Sequence, residues 1–369
     1  MAKQSSLSDL HKRHGAIFVE KEGWLLPKHF GNPGAEYQTV REAVGLIDLP
    51  DRALLQFTGP DRVTFLQGML SNDLRPLKMF DGQQAALLTQ QGKVIADVRV
   101  LCAMNSLYLD FWEPLKDKIV AHLNRYLVAD EVEIADPSDN WHMLAVQGPQ
   151  APALLDELFG HGQLPSQPMQ HGMVDFDGSP ICVVQASHFG EPGFDLVIAT
   201  TAIAHVAQQL TEKAKKFSAT WVGEEAQEIL RSEAGVPRYG VDFTEDNLLL
   251  EVGLDNAVSF TKGCYLGQEV VERIRSRGHV NKKLAGLVLN GRDPAATGES
   301  IFAGNREVGN ITSSVYSPAL GRPIALGYVH KDFWTPGTEL VIKHSGAAIP
   351  ATVAELPFVH AKETTVRSS

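Results

Sequence analysis

The stretch Lys262-Gly263-Cys264-Tyr265-Leu266-Gly267-Gln268-Glu269 decides how this chain is read. Two glycines four apart bracket a cysteine and a tyrosine, and glycine stands where a backbone turns tightly or approaches another group closely. From Gln268 to Arg273 the residues suit a helix, with Glu269 and Arg273 placed to pair at i,i+4. A thiol close to Lys262, with Arg273 folding back over it, would be partly thiolate and reactive. The alternative is a glycine-hinged loop around a buried structural cysteine. A basic run follows, Arg273, Arg275, Arg277, Lys282 and Lys283. It reads either as a solvated helix end or as a site for an anionic ligand tail or an acidic partner.

Working outward, 369 residues exceed one small core, so two or three domains are expected. Hydrophobic residues are 44% and charged residues 21%, the composition of a soluble globular protein. No apolar run approaches the ~18 residues that span a bilayer. The first residues, Met1 to His14, lack the apolar core of a signal peptide, which gives a cytoplasmic expectation and no membrane partner. The net charge of −11 argues against direct nucleic-acid binding. Three scattered cysteines, Cys102, Cys182 and Cys264, form neither a disulfide framework nor a cluster-binding set. No metal site is expected.

Upstream of the signature, Asp9 is a candidate cap for a short helix, and Tyr37 to Val44 has helical spacing ending at Gly45. Leu54–Phe57 reads as a strand stopping at Gly59-Pro60, followed by a helix through Phe65, Leu66 and Met69. Two strands, Gln84–Leu88 and Val94–Leu101, a third at Tyr108–Phe111 and a helix over Pro114–Tyr126 complete a unit. A second unit begins at Trp141 and repeats the order, with Gly148-Pro149, a helix over Ala151–Phe159, strands at Ile181–Gln185 and Phe194–Ile198, and a helix from Ala202 to Lys216. The repetition predicts two related α+β units. A helix over Glu224–Glu233 ends at Gly235 and Pro237. After Lys283, short β-rich segments alternate with Gly, Asn and Pro turns, the pattern of a small antiparallel barrel. The tail from His360 to Ser369 is polar and expected to fray.

The signature, with an arginine four residues after Glu269, resembles that of YgfZ-type folate-binding proteins, which assist iron–sulfur cluster assembly within the glycine-cleavage T-protein (aminomethyltransferase, GcvT) superfamily. The rest of the chain is similar to T-proteins too. Gly23-Trp24 and Arg41-x-x-x-Gly45-Leu46-x-Asp48 recur in their opening. Gly92–Asp97 resembles a T-protein Gly-Gly-x-x-Asp-Asp sequence in which an aspartate lies beside the folate nitrogens that receive the one-carbon unit. Asp97 matches the second aspartate, while Ala96 and Lys93 depart from the pattern. Gly190-Glu191-Pro192-Gly193-Phe194-Asp195 is similar to Gly-Glu-x-Gly-Phe-Glu, whose glutamate bonds the pterin ring. Leu230-Arg231-Ser232-Glu233-Ala234-Gly235-Val236-Pro237 matches a segment whose arginine lies along the folate. Tyr239, just beyond it, is a further candidate. Where T-proteins have an acidic residue, this chain has Cys264.

The resemblance implies a three-domain T-protein-like α+β fold around a central folate channel. Residues 1–50 with 140–245 would form one domain and 51–139 an inserted ferredoxin-like domain. Residues 246–282 would hold the signature loop and a connecting helix, and 283–369 a C-terminal antiparallel β-barrel. It implies a tetrahydrofolate-binding accessory protein supporting iron–sulfur assembly, linked to tRNA modification. Its partners would be folate and iron–sulfur assembly or client proteins. Cys264 and Asp97 are the chemical groups it implies, and Asp97, Glu191, Arg231 and Tyr239 the ligand contacts. The signature residues are Lys262, Gly263, Cys264, Tyr265, Gly267, Gln268, Glu269 and Arg273. The alternative is a tetrahydrofolate-dependent aminomethyltransferase or a related one-carbon transferase.

Overall fold

A computed structural model describes residues 2–278, 280–344 and 347–361. The expectation for the tail beyond residue 361 lies outside the described residues. The chain opens with β1 (Lys3–Gln4), α1 (Ser8–Arg13), β2 (Ile17–Lys21) and β3 (Trp24–His29), the three strands forming a small sheet in the order β1-β3-β2. The Gly23-Trp24 pair starts the second arm of this hairpin, which the sequence pattern left undivided. Asp9 does not cap α1; it lies in the first turn and pairs with Lys12. Next comes α2 (Pro33–Glu42), whose cap is Asn32: its side chain accepts from the Gly34 and Ala35 amides, and proline occupies the first turn. The helix stops at Glu42, two residues before the expected end, because the chain turns there into β4 (Gly45–Asp48).

The next unit contains β5 (Arg52–Thr58), α3 (Arg62–Met69), β6 (Gly82–Leu88), β7 (Val94–Cys102), β8 (Leu107–Trp112), α4 (Lys116–Tyr126) and β9 (Glu133–Ala135). Its sheet runs β6-β7-β8-β5-β9. The following unit repeats the plan with β10 (Trp141–Gln147), α5 (Ala151–Phe159), β11 (His171–Phe176), β12 (Ser179–Gln185), β13 (Gly193–Ala199), α6 (Ile203–Ala214) and β14 (Thr220–Trp221). Its sheet runs β11-β12-β13-β10-β4-β14. The two orders correspond strand for strand, except that β4, from before the first unit, is inserted ahead of the last strand. The Gly-Pro pairs occupy equivalent places, between β5 and α3 and between β10 and α5.

Three helices follow, α7 (Glu224–Glu233), α8 (Leu249–Val252) and α9 (Gln268–Arg277). The chain ends in a closed barrel of β15 (Lys282–Leu289), β16 (Ser300–Ala303), β17 (Arg306–Ser317), β18 (Arg322–His330), β19 (Glu339–His344) and β20 (Ala347–Ala354), ordered β15-β18-β17-β16-β19-β20. The expected α+β fold with a C-terminal antiparallel barrel is thus present. Among the described residues, no helix is long and apolar enough to cross a membrane.

Each sheet buries one face under its own helices. In the first unit that core includes Phe65 and Leu66 of α3, Ile119 and Leu123 of α4 and Val98 and Val100 of β7. The opposite faces of the two sheets meet each other. Leu54 and Leu101 of one pack with Met143, Val184 and Val197 of the other. Each such side chain stabilises the junction by about 1.5–3 kcal/mol relative to exposure. This seam positions the candidate site.

Candidate functional site

Strand β7 supplies the centre. Side chains alternate along a strand, so Ala96, Val98 and Val100 enter the helix-covered core while Asp97, Arg99 and Leu101 face the other way. Leu101 lies in the apolar seam, and Arg99 reaches across it. A register shift between Leu87 and Leu88 inserts Ile95 as an extra residue two positions before Asp97. A bulge of this kind re-aims the side chains that follow it.

Arg99 holds the two sheets together electrostatically. Its Nη1 donates to Oδ2 of Asp195 on β13 at 2.5 Å, and its other nitrogens bond Asp110 on β8. Arg52 donates to the second oxygen of Asp110 at 2.9 Å, and His188 meets Asp195 at 2.8 Å. Burial opposes the charge of Asp195, but His188 and Arg99 hold its carboxyl well below the usual range. Burial likewise opposes the Arg99 cation, and Asp110 and Asp195 outweigh it.

Asp97 differs. It is half-buried, and no other side chain hydrogen-bonds its carboxyl among the described residues. Burial raises its pKa above the ordinary aspartate value, Asp110 adds to this, and Arg52 and Arg99 act against it. The result is a carboxyl that binds a proton more tightly than a surface aspartate would. Asp51, absent from the sequence expectations, is also raised, by burial and then by Glu224, and accepts a bond from Trp112 Nε1 at 3.2 Å. Tyr239 packs on the ring of Trp112, centroids 6.2 Å apart, and edge-on to Phe243 at 5.2 Å.

Glu191 lies in the turn before β13, buried, with Oε1 accepting from Arg41 Nη1 at 3.0 Å. Its Oε2 accepts no hydrogen bond from a described residue. The other arm of Arg41 reaches Glu233 at 2.6 Å, which also accepts from Tyr37 at 2.7 Å and from Ser317 of the barrel. Arg41 was legible only as part of a recurring segment; nothing in the sequence marked it as the residue between two buried glutamates.

Arg231 is 4% exposed and fully engaged. Its Nε donates to Glu228 at 2.8 Å, Nη1 to the Val236 carbonyl at 2.9 Å and Asp242 at 2.7 Å, and Nη2 to Glu228 and, at 2.7 Å, to Ser313 of β17. A guanidinium has five N–H donors, and all are taken. The second oxygen of Asp242 accepts from Thr312 and Ser313 at 2.6 Å each. Arg231 therefore joins α7 to the barrel.

The signature loop is equally committed. Lys262 is buried, and its ammonium donates to the carbonyls of Gln67, Leu70 and Asn72 at 2.7, 2.6 and 2.9 Å, capping the end of α3. Burial pulls its pKa down to about 8. The ammonium also lies 4.9 Å from the centroid of the Tyr265 ring, whose buried hydroxyl has no partner. Gly267 takes φ +84° and Gly92, in the β6–β7 turn, φ +73°. A Cβ on Gly267 would stand 2.5 Å from the Thr89 carbonyl, and one on Gly92 would meet Val270 at 2.9 Å. The two glycines let α9 dock on the hairpin that carries Asp97. Gln268 starts α9, while Gly263, Cys264, Glu269 and Arg273 are exposed. The expected Glu269–Arg273 pair does not form; Arg275 pairs with Glu272 at 3.7 Å and stacks on Phe260. Arg273 forms no ion pair among the described residues. No group of three or more His, Cys, Asp or Glu among the described residues is placed to hold a metal ion.

Comparison with known proteins fits this architecture. Residues 7–262 match the family described as the GCVT N-terminal domain, and residues 282–360 the glycine cleavage T-protein C-terminal barrel domain. An aminomethyltransferase of Rubrobacter xylanophilus is 31% identical over 98% of this chain and 95% of its own. One from Bacillus subtilis is 27% identical over 97% and 99%. The crystal structure of glycine cleavage system aminomethyltransferase T from Bartonella henselae superposes with a TM-score of 0.89 at 26% identity, covering 98% of this chain and 99% of that one. These full-length matches correct the expectation drawn from the signature: the relatives are named aminomethyltransferase, which overturns the iron–sulfur accessory role and its link to tRNA modification. The chain belongs to the glycine cleavage T-protein (GcvT) family.

Proposed function

We propose that this protein is a tetrahydrofolate-dependent aminomethyltransferase. The observation that carries the reading is Asp97: a half-buried carboxyl of raised pKa, unengaged by other side chains, on the seam-facing side of a strand that is otherwise locked in place. A reduced folate, when bound, supplies a secondary amine that accepts the one-carbon unit. Asp97 would hold or take a proton at that nitrogen and oppose a developing positive charge beside it. The open Oε2 of Glu191 can accept from an N–H donor of a pterin edge, with Arg41 on Oε1 fixing its orientation. Tyr239 offers a ring already braced by Trp112 and Phe243. Arg231 serves by holding α7 against the barrel.

The test is methylenetetrahydrofolate formation from tetrahydrofolate and an aminomethylated lipoyl carrier protein. Turnover by the wild type and its loss in Asp97→Asn, with folate binding retained, is the expected result. Folate binding without any turnover would end the aminomethyltransferase reading.

A further inference from the structure

Asp51 stands at the corner between β4 and β5 and belongs to none of the motifs in the sequence. The Glu113 amide donates to its backbone carbonyl at 2.7 Å, which fixes the corner against the end of β8. Its side chain is half-buried, and Oδ2 accepts from Trp112 Nε1 at 3.2 Å. No other described residue donates to that carboxyl, and it forms no ion pair among them. The charged groups that face it are Glu224 at the start of α7, Arg52 on β5 and Arg238 beyond α7. Each is already engaged: Arg52 with Asp110, Arg238 with Glu224 and Glu228, and Glu224 also with Lys21. Glu113, beside Trp112, is held by Lys3 and Trp24.

Trp112 links this carboxyl to Asp97. Residues opposed on neighbouring strands share a face. Arg52 lies opposite Trp112, and Arg99 opposite Asp110. The next positions on the seam-facing side of those two strands are Asp97 and Trp112. Two carboxyls free of ion pairs therefore have one indole between them, and Tyr239 packs on that indole. Burial raises the pKa of both. After burial the largest influence on Asp97 is the Arg52 cation, which favours loss of the proton, and on Asp51 the Glu224 carboxylate, which favours keeping it. Carboxyls whose surroundings push them apart divide into a base and an acid.

We infer that Asp51 is a second acid–base group of the transfer, giving a proton to the departing amine while Asp97 takes one from a folate nitrogen. The inference rests on the aminomethyltransferase reading above. In that reaction the methylene carbon forms bonds to two folate nitrogens and loses its bonds to the carrier sulfur and to the amine. Each folate nitrogen loses a proton; the amine and the sulfur each gain one. Asp97 takes the first folate proton, Asp51 supplies the amine, and the second folate proton goes to the sulfur. The proton on Asp97 returns to Asp51 through solvent before the next cycle.

Steady-state kinetics with tetrahydrofolate and the aminomethylated carrier, over a range of pH, tests the assignment. Asparagine still accepts from the indole but carries no proton. In Asp51→Asn, kcat should fall roughly 10²-fold with KM for folate unchanged, and the alkaline limb of the pH profile, which reports loss of the Asp51 proton, should vanish. Asp51→Glu should recover part of kcat and displace that limb. Trp112→Phe removes the indole donor and leaves both carboxyls, so the limb should persist whatever happens to KM. An asparagine variant with wild-type kcat and both limbs overturns the inference, and so does a limb that the glutamate variant leaves in place, which decides the matter if asparagine prevents folding. A wild type that binds folate but forms no methylenetetrahydrofolate overturns the transferase reading, and the step given to Asp51 falls with it. Wild-type turnover with an unaffected asparagine variant overturns Asp51 alone.

Discussion

Asp97 and Arg231 are charged side chains on regular elements, each facing across a junction between parts of the molecule, and they end in opposite conditions. At the α7–barrel joint every donor of Arg231 and both oxygens of Asp242 are engaged. In the seam between the sheets, Arg99, Asp110 and Asp195 are just as fully tied, but Asp97, two residues from Arg99, is not. A closed polar network fixes geometry and leaves nothing for a ligand. An open group beside a closed network is held in a defined place and keeps its chemistry. The contrast separates groups that build the site from groups that can act in it.

The largest effect expected from breaking the closed side is at Arg231. Arg231→Ala removes the ionic partner of Asp242 in a buried joint, and loss of one partner of such a pair costs roughly 3–5 kcal/mol. Arg231→Lys recovers little of this, because one ammonium cannot reproduce a five-donor fork. Denaturant unfolding of both variants measures it; a lysine variant as stable as the wild type would show that the fork is dispensable.

Asp97 should behave inversely. Asp97→Asn is expected to lower turnover by roughly 10²–10⁴-fold, the usual contribution of a general acid–base group. Its stability should be equal or higher. The folded pKa of Asp97 lies above the unfolded value, so the native state binds more protons, and stability falls as pH rises between the two and stays lower above them. Asparagine removes that cost. A variant that is both inactive and markedly unstable at pH 7 would put Asp97 with Arg231.

Much of this was legible in the sequence, for identifiable reasons. The two α+β units showed because strand and helix periods repeat in order after each Gly-Pro pair, and the barrel showed because its turns are rich in glycine and proline. The hairpin at Gly23-Trp24 did not, since its strands are short and only partly buried, with little alternation to read. Motifs located Asp97, Glu191 and Arg231 but could not rank them. Whether a charge is open or closed depends on Arg41, Asp110, Asp195 and Ser313, each distant in sequence from the residue it engages. The signature misled for the same cause: its lysine looks chemical in sequence, while in the fold it caps α3; Gly267 makes the close approach expected of a glycine there.

Lys262 sharpens that point with a smaller effect. Its folded pKa of about 8 lies below the usual 10.5, so the native state binds fewer protons between these values, and stability rises with pH across that window. With partial solvent screening the gain is roughly 1 kcal/mol. Lys262→Met should lose this slope. If the difference between the two pH–stability curves is flat from pH 8 to 10.5, the ammonium is not desolvated in the way its three carbonyl partners indicate.

The smallest effect concerns Cys264, the one exposed cysteine among the three. Cys182 lies in β12 with its thiol pushed up to about 12 by burial, and burial raises Cys102 at the end of β7 as well. Alkylation requires a thiolate that the reagent can reach, and Cys264 is exposed while Cys102 and Cys182 are partly buried. Iodoacetamide should therefore modify Cys264 first under native conditions, with Cys102 and Cys182 following on unfolding. The loop is fixed from either side, by Lys262 on α3 and by Gly267 against the β6–β7 turn, so neither anchor needs the sulfur. Cys264→Ser should change stability by less than about 0.5 kcal/mol, the range of an ordinary surface substitution. Its turnover should match the wild type if the proposed transfer rests on Asp97 in the seam. A serine variant that folds normally but loses methylenetetrahydrofolate formation would move Cys264 from the closed side of the comparison to the open one, beside Asp97.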